Sequence, residues 1–331
     1  MGKVKVTNNG QIPLSVALFL AVDHYDYVPN TISATSLLKP IRQYILARRV
    51  PPGTNIPDVE QLIAARMGTA IHDGIEKVWM NPELRIQALK DLGYSENIIS
   101  RIVVNPKPED LKPDSIPVYM ELRSFKEVDG MTVSGKFDFI GNGALEDFKS
   151  TSTYSWIKGK KDDDYIMQGS IYRWLNPDII TSDVFTIQFI FTDWQKGMTY
   201  SQANYPAKRM MPRKFKLKPP EEIEAYVKQR IADIRTLWDK PDDEIPECTD
   251  EELWRSEPVW KYYKNPASKT RATKNFDNEG EAIARWQQDG GVGEVVKIPG
   301  QAKACLYCPA FAVCKQKDRL IESGDLVIDQ E

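Results

Sequence analysis

The chain reads as an α/β or α+β protein, with a central mixed sheet carrying antiparallel hairpins and flanked by helices. Three observations lead there. Two turn dipeptides, Asp129-Gly130 and Asn142-Gly143, lie between β-rich runs, and Asp-Gly and Asn-Gly are the strongest short-range hairpin signals. On either side of that β-rich middle, apolar residues recur at helical spacing, in segments opening near Asp58 and Tyr165. A length of 331 residues, 41% apolar and 27% charged, is enough for a sizeable core with appendages.

Taken in order, the longest aliphatic run, residues 14–22, is too short to cross a bilayer and is expected to start a strand or form a buried helix. Residues 33–92 read as helices, with Arg42, Arg48, Arg49 and Arg66 as candidate contacts to a phosphate backbone. Within this stretch Asp58 can cap a helix running to about Met80. Gly68, His72 and Glu76 fall at four-residue steps along it and therefore on one stripe. The glycine permits another backbone to come close, and His72 is one of only two histidines. Residues 105–117 form a proline-rich connector into the sheet. Residues 118–128, 131–141 and 144–150 then predict a three-stranded antiparallel meander.

Beyond a charged loop at 158–164, residues 165–175 predict an amphipathic helix on which Gln168 and Tyr172, one turn apart, face the same way. Residues 183–194 predict another strand. Pro219-Pro220-Glu221-Glu222 opens a helix to about Asp239, with proline and acids in its first turn as helix starts prefer. A cysteine-bearing lobe follows Pro246, with one more helix at 277–289. The expected organisation is an N-terminal segment (1–30), a core with N-terminal helices (31–240) and a C-terminal lobe (241–331).

The chemistry concentrates in the meander. Gly135-Lys136-Phe137-Asp138 precedes Leu145-Glu146-Asp147-Phe148-Lys149-Ser150. Side chains alternate along a strand, so Asp147 and Lys149 share one face while Phe148 points to the other. A carboxylate on one strand and an Asp-x-Lys on the next can hold a divalent cation, with an ammonium beside it to orient a water at a phosphodiester. An isolated Asp-x-Lys is a common exposed strand pattern; its ordered neighbours give it weight.

That order, Gly-x3-His-x3-Glu, a Glu on a strand, Gly-x2-Asp, Asp-x-Lys and Gln-x3-Tyr, resembles the PD-(D/E)XK nuclease superfamily in its RecB-like exonuclease branch, over residues 32–194. The resemblance implies a restriction-endonuclease-like core and a Mg²⁺- or Mn²⁺-dependent deoxyribonuclease, an exonuclease before an endonuclease. It implies His72, Asp138 and Asp147 as metal ligands, with the Phe148 carbonyl as a further ligand and Lys149 as the catalytic lysine. Glu121 matches the acidic strand position before Gly-x2-Asp and can bind a second metal or orient a ligand. Gln168 and Tyr172 match a motif that supports the active site and the DNA end. Phe137 stands where the family's nominal proline precedes the first Asp.

The cysteines form a separate signal. Cys305, Cys308 and Cys314 make a C-x2-C-x5-C cluster, and Cys248 is the only other cysteine. Four thiols so packed suggest a four-coordinate metal site; with no secretory signal in the sequence, disulfides are disfavoured and a cytoplasmic location is expected, the host cytoplasm if the protein is phage-encoded. The spacing is similar to that of AddB-type and CRISPR-adaptation nucleases, which implies a structural [4Fe-4S] cluster. Those proteins place their first cysteine before the nuclease core, whereas the early segment here, Ser33 to Pro40, has none and Cys248 would substitute. Zn²⁺ therefore stays an alternative.

The net charge of −3 requires any cationic DNA track to be local. Two stretches qualify: 208–218, placed at a hairpin tip, and Trp260-Lys261-Tyr262-Tyr263-Lys264 with Lys269, Arg271 and Lys274, whose aromatic faces could stack on unpaired bases. There is no Walker A motif, so no motor is expected within the chain. These features imply DNA as partner, single-stranded or with free ends, a helicase, recombinase or single-strand-binding protein as further partners, and no membrane. The setting implied is recombination, repair or phage DNA metabolism. The alternative is a catalytically silent DNA-binding scaffold or interaction module with a structural zinc site.

Overall fold

The structure, a computed structural model, describes residues 6–22 and 28–328. The chain divides into two compact units: residues 1–38 with 56–232, and residues 39–55 with 233–331.

The first unit is a mixed α/β structure. Its helices are α1 (Leu14–Ala21), α2 (Ala34–Leu37), α4 (Ile63–Met80), α5 (Pro82–Asp91), α6 (Glu96–Ile99), α7 (Thr153–Lys158), α8 (Asp162–Leu175) and most of α9 (Pro220–Leu237), while α3 (Ile41–Leu46) belongs to the second unit. Six strands form one sheet in the order β2 (Ile102–Val104), β3 (Ile116–Met120), β6 (Phe139–Gly141), β7 (Ala144–Thr151), β8 (Val184–Phe191) and β9 (Met210–Lys216). The β2–β3 and β7–β8 pairs are parallel and the others antiparallel. A smaller sheet runs β1 (Thr31–Ser33), β5 (Met131–Lys136), β4 (Arg123–Val128). Parallel β7 and β8 need a crossover, and α7 and α8 supply it.

The expected three-stranded meander is realised differently. Both turns form as tight two-residue hairpins, with Asp129, Gly130, Asn142 and Gly143 all at positive φ, the geometry that a type I′ turn demands. Each long strand, however, breaks once, so that β4 and β5 join the small sheet while β3 and β6 join the large one. The run 14–22 is a helix whose Leu14, Leu18 and Phe19 are exposed and of which only Ala17 and Leu20 are buried, rather than a strand or a buried helix. Asp58 caps a 3-10 turn, Val59–Leu62, that leads into α4.

The core fills one face of the large sheet. Leu145, Phe185, Ile187, Phe189 and Phe191 are fully buried there, and the Trp156 and Tyr165 rings pack on Phe189 at centroid distances of 5.5 and 5.9 Å. Close seating of α8 depends on Gly169, where a Cβ would lie 2.7 Å from the Phe185 ring.

In the second unit, α3 (Ile41–Leu46) accompanies a three-stranded antiparallel sheet, β11 (Lys274–Phe276), β10 (Val259–Tyr263), β12 (Glu294–Ile298), and helices α10 (Glu279–Gln288) and α11 (Lys315–Glu322). Tyr262 and Phe276 pack with Ala282 of α10. No helix among the described residues is long and apolar enough to cross a membrane.

Overpacking at α8 predicts that Gly169→Ala destabilises the protein by about 1–3 kcal/mol in chemical unfolding. Gly74→Ala, mid-helix with nothing within 4 Å of the added carbon, is expected instead to stabilise by up to about 1 kcal/mol.

Candidate active site

The two strand breaks face each other. Met120 pairs with Phe139 before the break and Arg123 with Lys136 after it, so no residue is inserted and Glu121 lies opposite Asp138. The Glu121 N–H donates to the Asp138 carbonyl at 3.2 Å. Glu121 has φ +51°, a left-handed conformation that costs a non-glycine residue about 1–3 kcal/mol. The twist turns both carboxylates out of the pleat and into one pocket.

Helix α4 closes that pocket. Its His72 Nε2 meets the Phe148 carbonyl at 3.0 Å, and its Nδ1 lies 3.6 Å from Asp138 Oδ1 and 3.9 Å from Glu121 Oε1. Trp79, further along α4, packs on Phe139. Gly68 fits beneath this contact because a Cβ there would come within 3.1 Å of Ser150 Oγ. Among the described residues, His72, Glu121 and Asp138 are the one set of metal-ligating side chains whose donor atoms all lie within 4.8 Å of one another.

The Asp-x-Lys pair enters from β7. Asp138 Oδ2 accepts from the Phe148 N–H at 2.8 Å, which ties β7 to the break. Asp147 is 1% exposed. Its Oδ1 has only a long contact, 3.5 Å, from Gln168 Nε2. Its Oδ2 lies 2.5 Å from Lys149 Nζ yet is not engaged in an aligned hydrogen bond. The buried carboxylate is therefore held chiefly by the Lys149 charge. Gln168 also donates to the Tyr172 hydroxyl at 2.9 Å.

The electrostatics follow from crowding. Burial and the neighbouring Asp147 charge push the Asp138 carboxyl up to about 7. The nearby Glu121 carboxylate outweighs burial and, with the Asp138 charge, raises the His72 imidazole to about 9. Burial opposes the Lys149 charge, but Asp147 and Asp138 hold its pKa above the usual lysine range. Three carboxylates, two lysines and an imidazole thus crowd into one small volume.

Sequence reasoning missed the role of one member of this site and the reason for another. Lys136 Nζ lies 2.6 Å from Glu121 Oε2; its position two residues before Asp138, on the same side of the strand, was the available signal. Gly135 is required because a Cβ there would meet Leu175 at 2.6 Å and Tyr172 at 3.0 Å. Its motif glycine is thus explained by the seating of α8.

Several expected DNA contacts are differently disposed. Stretch 208–218 is mainly the edge strand β9 rather than a hairpin tip, with Lys214 and Lys216 exposed. Tyr262 and Tyr263 are buried, so they pack instead of offering faces to bases. Arg42 is buried too, while Arg49 donates to the Trp238 carbonyl and Arg66 to the Leu20 carbonyl.

All four cysteines lie in the second unit and none forms a disulfide. Cys305 is buried in a small apolar cluster with Leu253, Ala302, Leu320 and Leu326, against which Cys248 also packs. The buried Gln316 side chain clamps the Cys248 backbone, accepting from its N–H at 2.8 Å and donating to its carbonyl at 2.9 Å. This holds Cys248 beside the start of α11, two residues from Cys314. Burial, then the charges of Glu252, Cys314 and Cys308, push the Cys248 thiol up to about 12; burial, then Cys308 and Cys314, push Cys305 up to about 11.

The chain is similar to two solved structures. SSO0001 shares 17% identity over 71% of this chain and 94% of that one, with a TM-score of 0.39. A phage-related exonuclease from Haemophilus somnus 129PT shares 15% over 65% and 96%, with a TM-score of 0.28. No family model and no curated protein matches the chain. Likeness this loose adds nothing to the geometry.

Gln316→Ala leaves two backbone groups of Cys248 without partners, at about 1–3 kcal/mol each if they stay dry. The expected result is a lower unfolding midpoint together with faster maleimide labelling of Cys248 in chelator-treated protein.

Proposed function

We propose that the protein is a metal-dependent deoxyribonuclease, and that it acts as an exonuclease. The observation that carries the reading is the convergence of His72, Glu121 and Asp138 within 4.8 Å of one another, with the buried Asp147–Lys149 ion pair close enough to act electrostatically on Asp138. The donors are carboxylates, a carbonyl and an imidazole, a set that suits Mg²⁺ or Mn²⁺. Asp138, Asp147 and His72 would hold the ion, with the Phe148 carbonyl beside them and Glu121 within the same cluster. The bound ion would supply Lewis acidity toward a phosphodiester and lower the pKa of a water.

The residues of the chain do the rest. Lys149 positions the attacking water and stabilises the charge that develops on the phosphate. Gln168, hydrogen-bonded to Tyr172, restrains the Asp147 carboxylate from behind. Lys136 pairs with Glu121 and limits its swing. The exonuclease mode rests on the order of the motifs along the chain.

The four cysteines are proposed to bind a structural [4Fe-4S] cluster. The reading rests on the C-x2-C-x5-C spacing, with Cys248 in the same unit as the other three.

The test of activity is cleavage of end-labelled linear single- and double-stranded DNA and of closed circles, with Mg²⁺, Mn²⁺ or EDTA. Linear DNA should be degraded only with metal, circles should be spared, and Lys149→Ala and Asp138→Ala should lose about 100-fold or more. Equal cleavage by the variants, or none by any form, would overturn the assignment. For the cysteines, the protein should be brown and contain iron and acid-labile sulfide in equal amounts, both lost in Cys248→Ser; colourless protein containing zinc would replace the cluster reading.

A further inference from the structure

Arg42 has no part in the proposed nuclease site, and it is the one charged side chain described as buried in the second unit, at 2% exposure. Four of its five N–H groups have partners. Nη1 donates to the carbonyls of Ile245 at 2.9 Å and Asp242 at 3.2 Å, and Nη2 pairs with the Asp242 carboxylate. The Nε–H is directed at Cys314 Sγ at 3.2 Å. A buried guanidinium is tolerated where anions face it. A neutral thiol is a weak acceptor, whereas a thiolate is a strong one. Four thiolates around either metal leave the centre with net negative charge, which a buried cation nearby would offset.

The placement also accounts for a feature of the sequence. The early segment, Ser33 to Pro40, lacks a cysteine, yet the helix that follows it, α3, belongs to the same unit as the four thiols. That helix brings a guanidinium, while Cys248, clamped by Gln316, would supply the fourth sulfur.

We infer that Arg42 is a positioning and charge-balancing residue for the four-cysteine centre, donating its Nε–H to the metal-bound Cys314 thiolate. The inference rests on the reading of the cysteines as a metal centre. Partners of metal ligands are commonly worth about 10–100-fold in metal affinity.

The experiment follows metal loss to a chelator in the full-length protein, by metal analysis and, for iron, by visible absorption. Wild type is compared with Arg42→Gln, Arg42→Lys and Asp242→Asn at a temperature where circular dichroism shows each folded. Arg42→Gln should lose metal about tenfold faster or more. Arg42→Lys, which keeps the charge but not the Nε–H, should fall between it and wild type, and it decides the matter if Arg42→Gln does not fold. Asp242→Asn, which leaves the N–H···S contact in place, should stay near wild type. Wild-type rates in the Arg42 variants, or loss in Asp242→Asn equal to that in Arg42→Gln, would overturn the role while leaving the metal centre standing. Wild-type protein free of iron and zinc would overturn the metal centre and this role with it.

Discussion

The first unit depends on a hairpin that keeps its register while it changes sheet. Glu121 and Asp138 sit opposite each other at the change, and the left-handed backbone of Glu121 makes the turn possible. Had the strands run straight, side-chain alternation would have fixed these acids on one face of a continuous meander. Broken at this pair, the hairpin gives one half to the six-stranded sheet and the other to the small sheet, and its two acids line the gap. Strain of this kind persists where surrounding structure over-determines it. Here the determinants are the Phe148 N–H on Asp138 and the Lys136 ammonium on Glu121.

The charge balance of the gap follows from that geometry. Burial and the Asp147 charge raise the cost of ionising Asp138, and His72 and Lys149 lower it. A divalent cation would relieve such a crowding of carboxylates. Helix α8 contributes rigidity instead of charge: Gly135 and Gly169 allow it to lie close against the strands that carry the acids.

Much of this was legible in the sequence where local chemistry decides the outcome. The Asp-Gly and Asn-Gly turns, the cap at Asp58 and the four-residue spacing of Gly68 and His72 all describe short-range geometry, and each is realised. What escaped depends on neighbours distant in sequence. No local signal marks Glu121 for positive φ, because glutamate gains nothing there unless Lys136 and His72 receive it. The burial of Tyr262 and Tyr263 follows from packing within the second unit, which an aromatic and basic run cannot announce. Arg42 read as a surface cation because arginine usually is one; its partners, Asp242 and Cys314, lie two hundred or more positions away. The glycine of Gly-x2-Asp was visible as a motif, while its reason, the seating of Tyr172 and Leu175, was not.

The most direct measurement is a crystal structure of the protein soaked in Mn²⁺, with data collected at the manganese absorption edge. The geometry predicts an anomalous peak in contact with Asp138 and Asp147 and beside His72, abolished in Asp138→Ala. A peak confined to other residues, or a gap between Glu121 and Asp138 that stays without signal at saturating Mn²⁺, would contradict the claim that the broken hairpin builds a cation site.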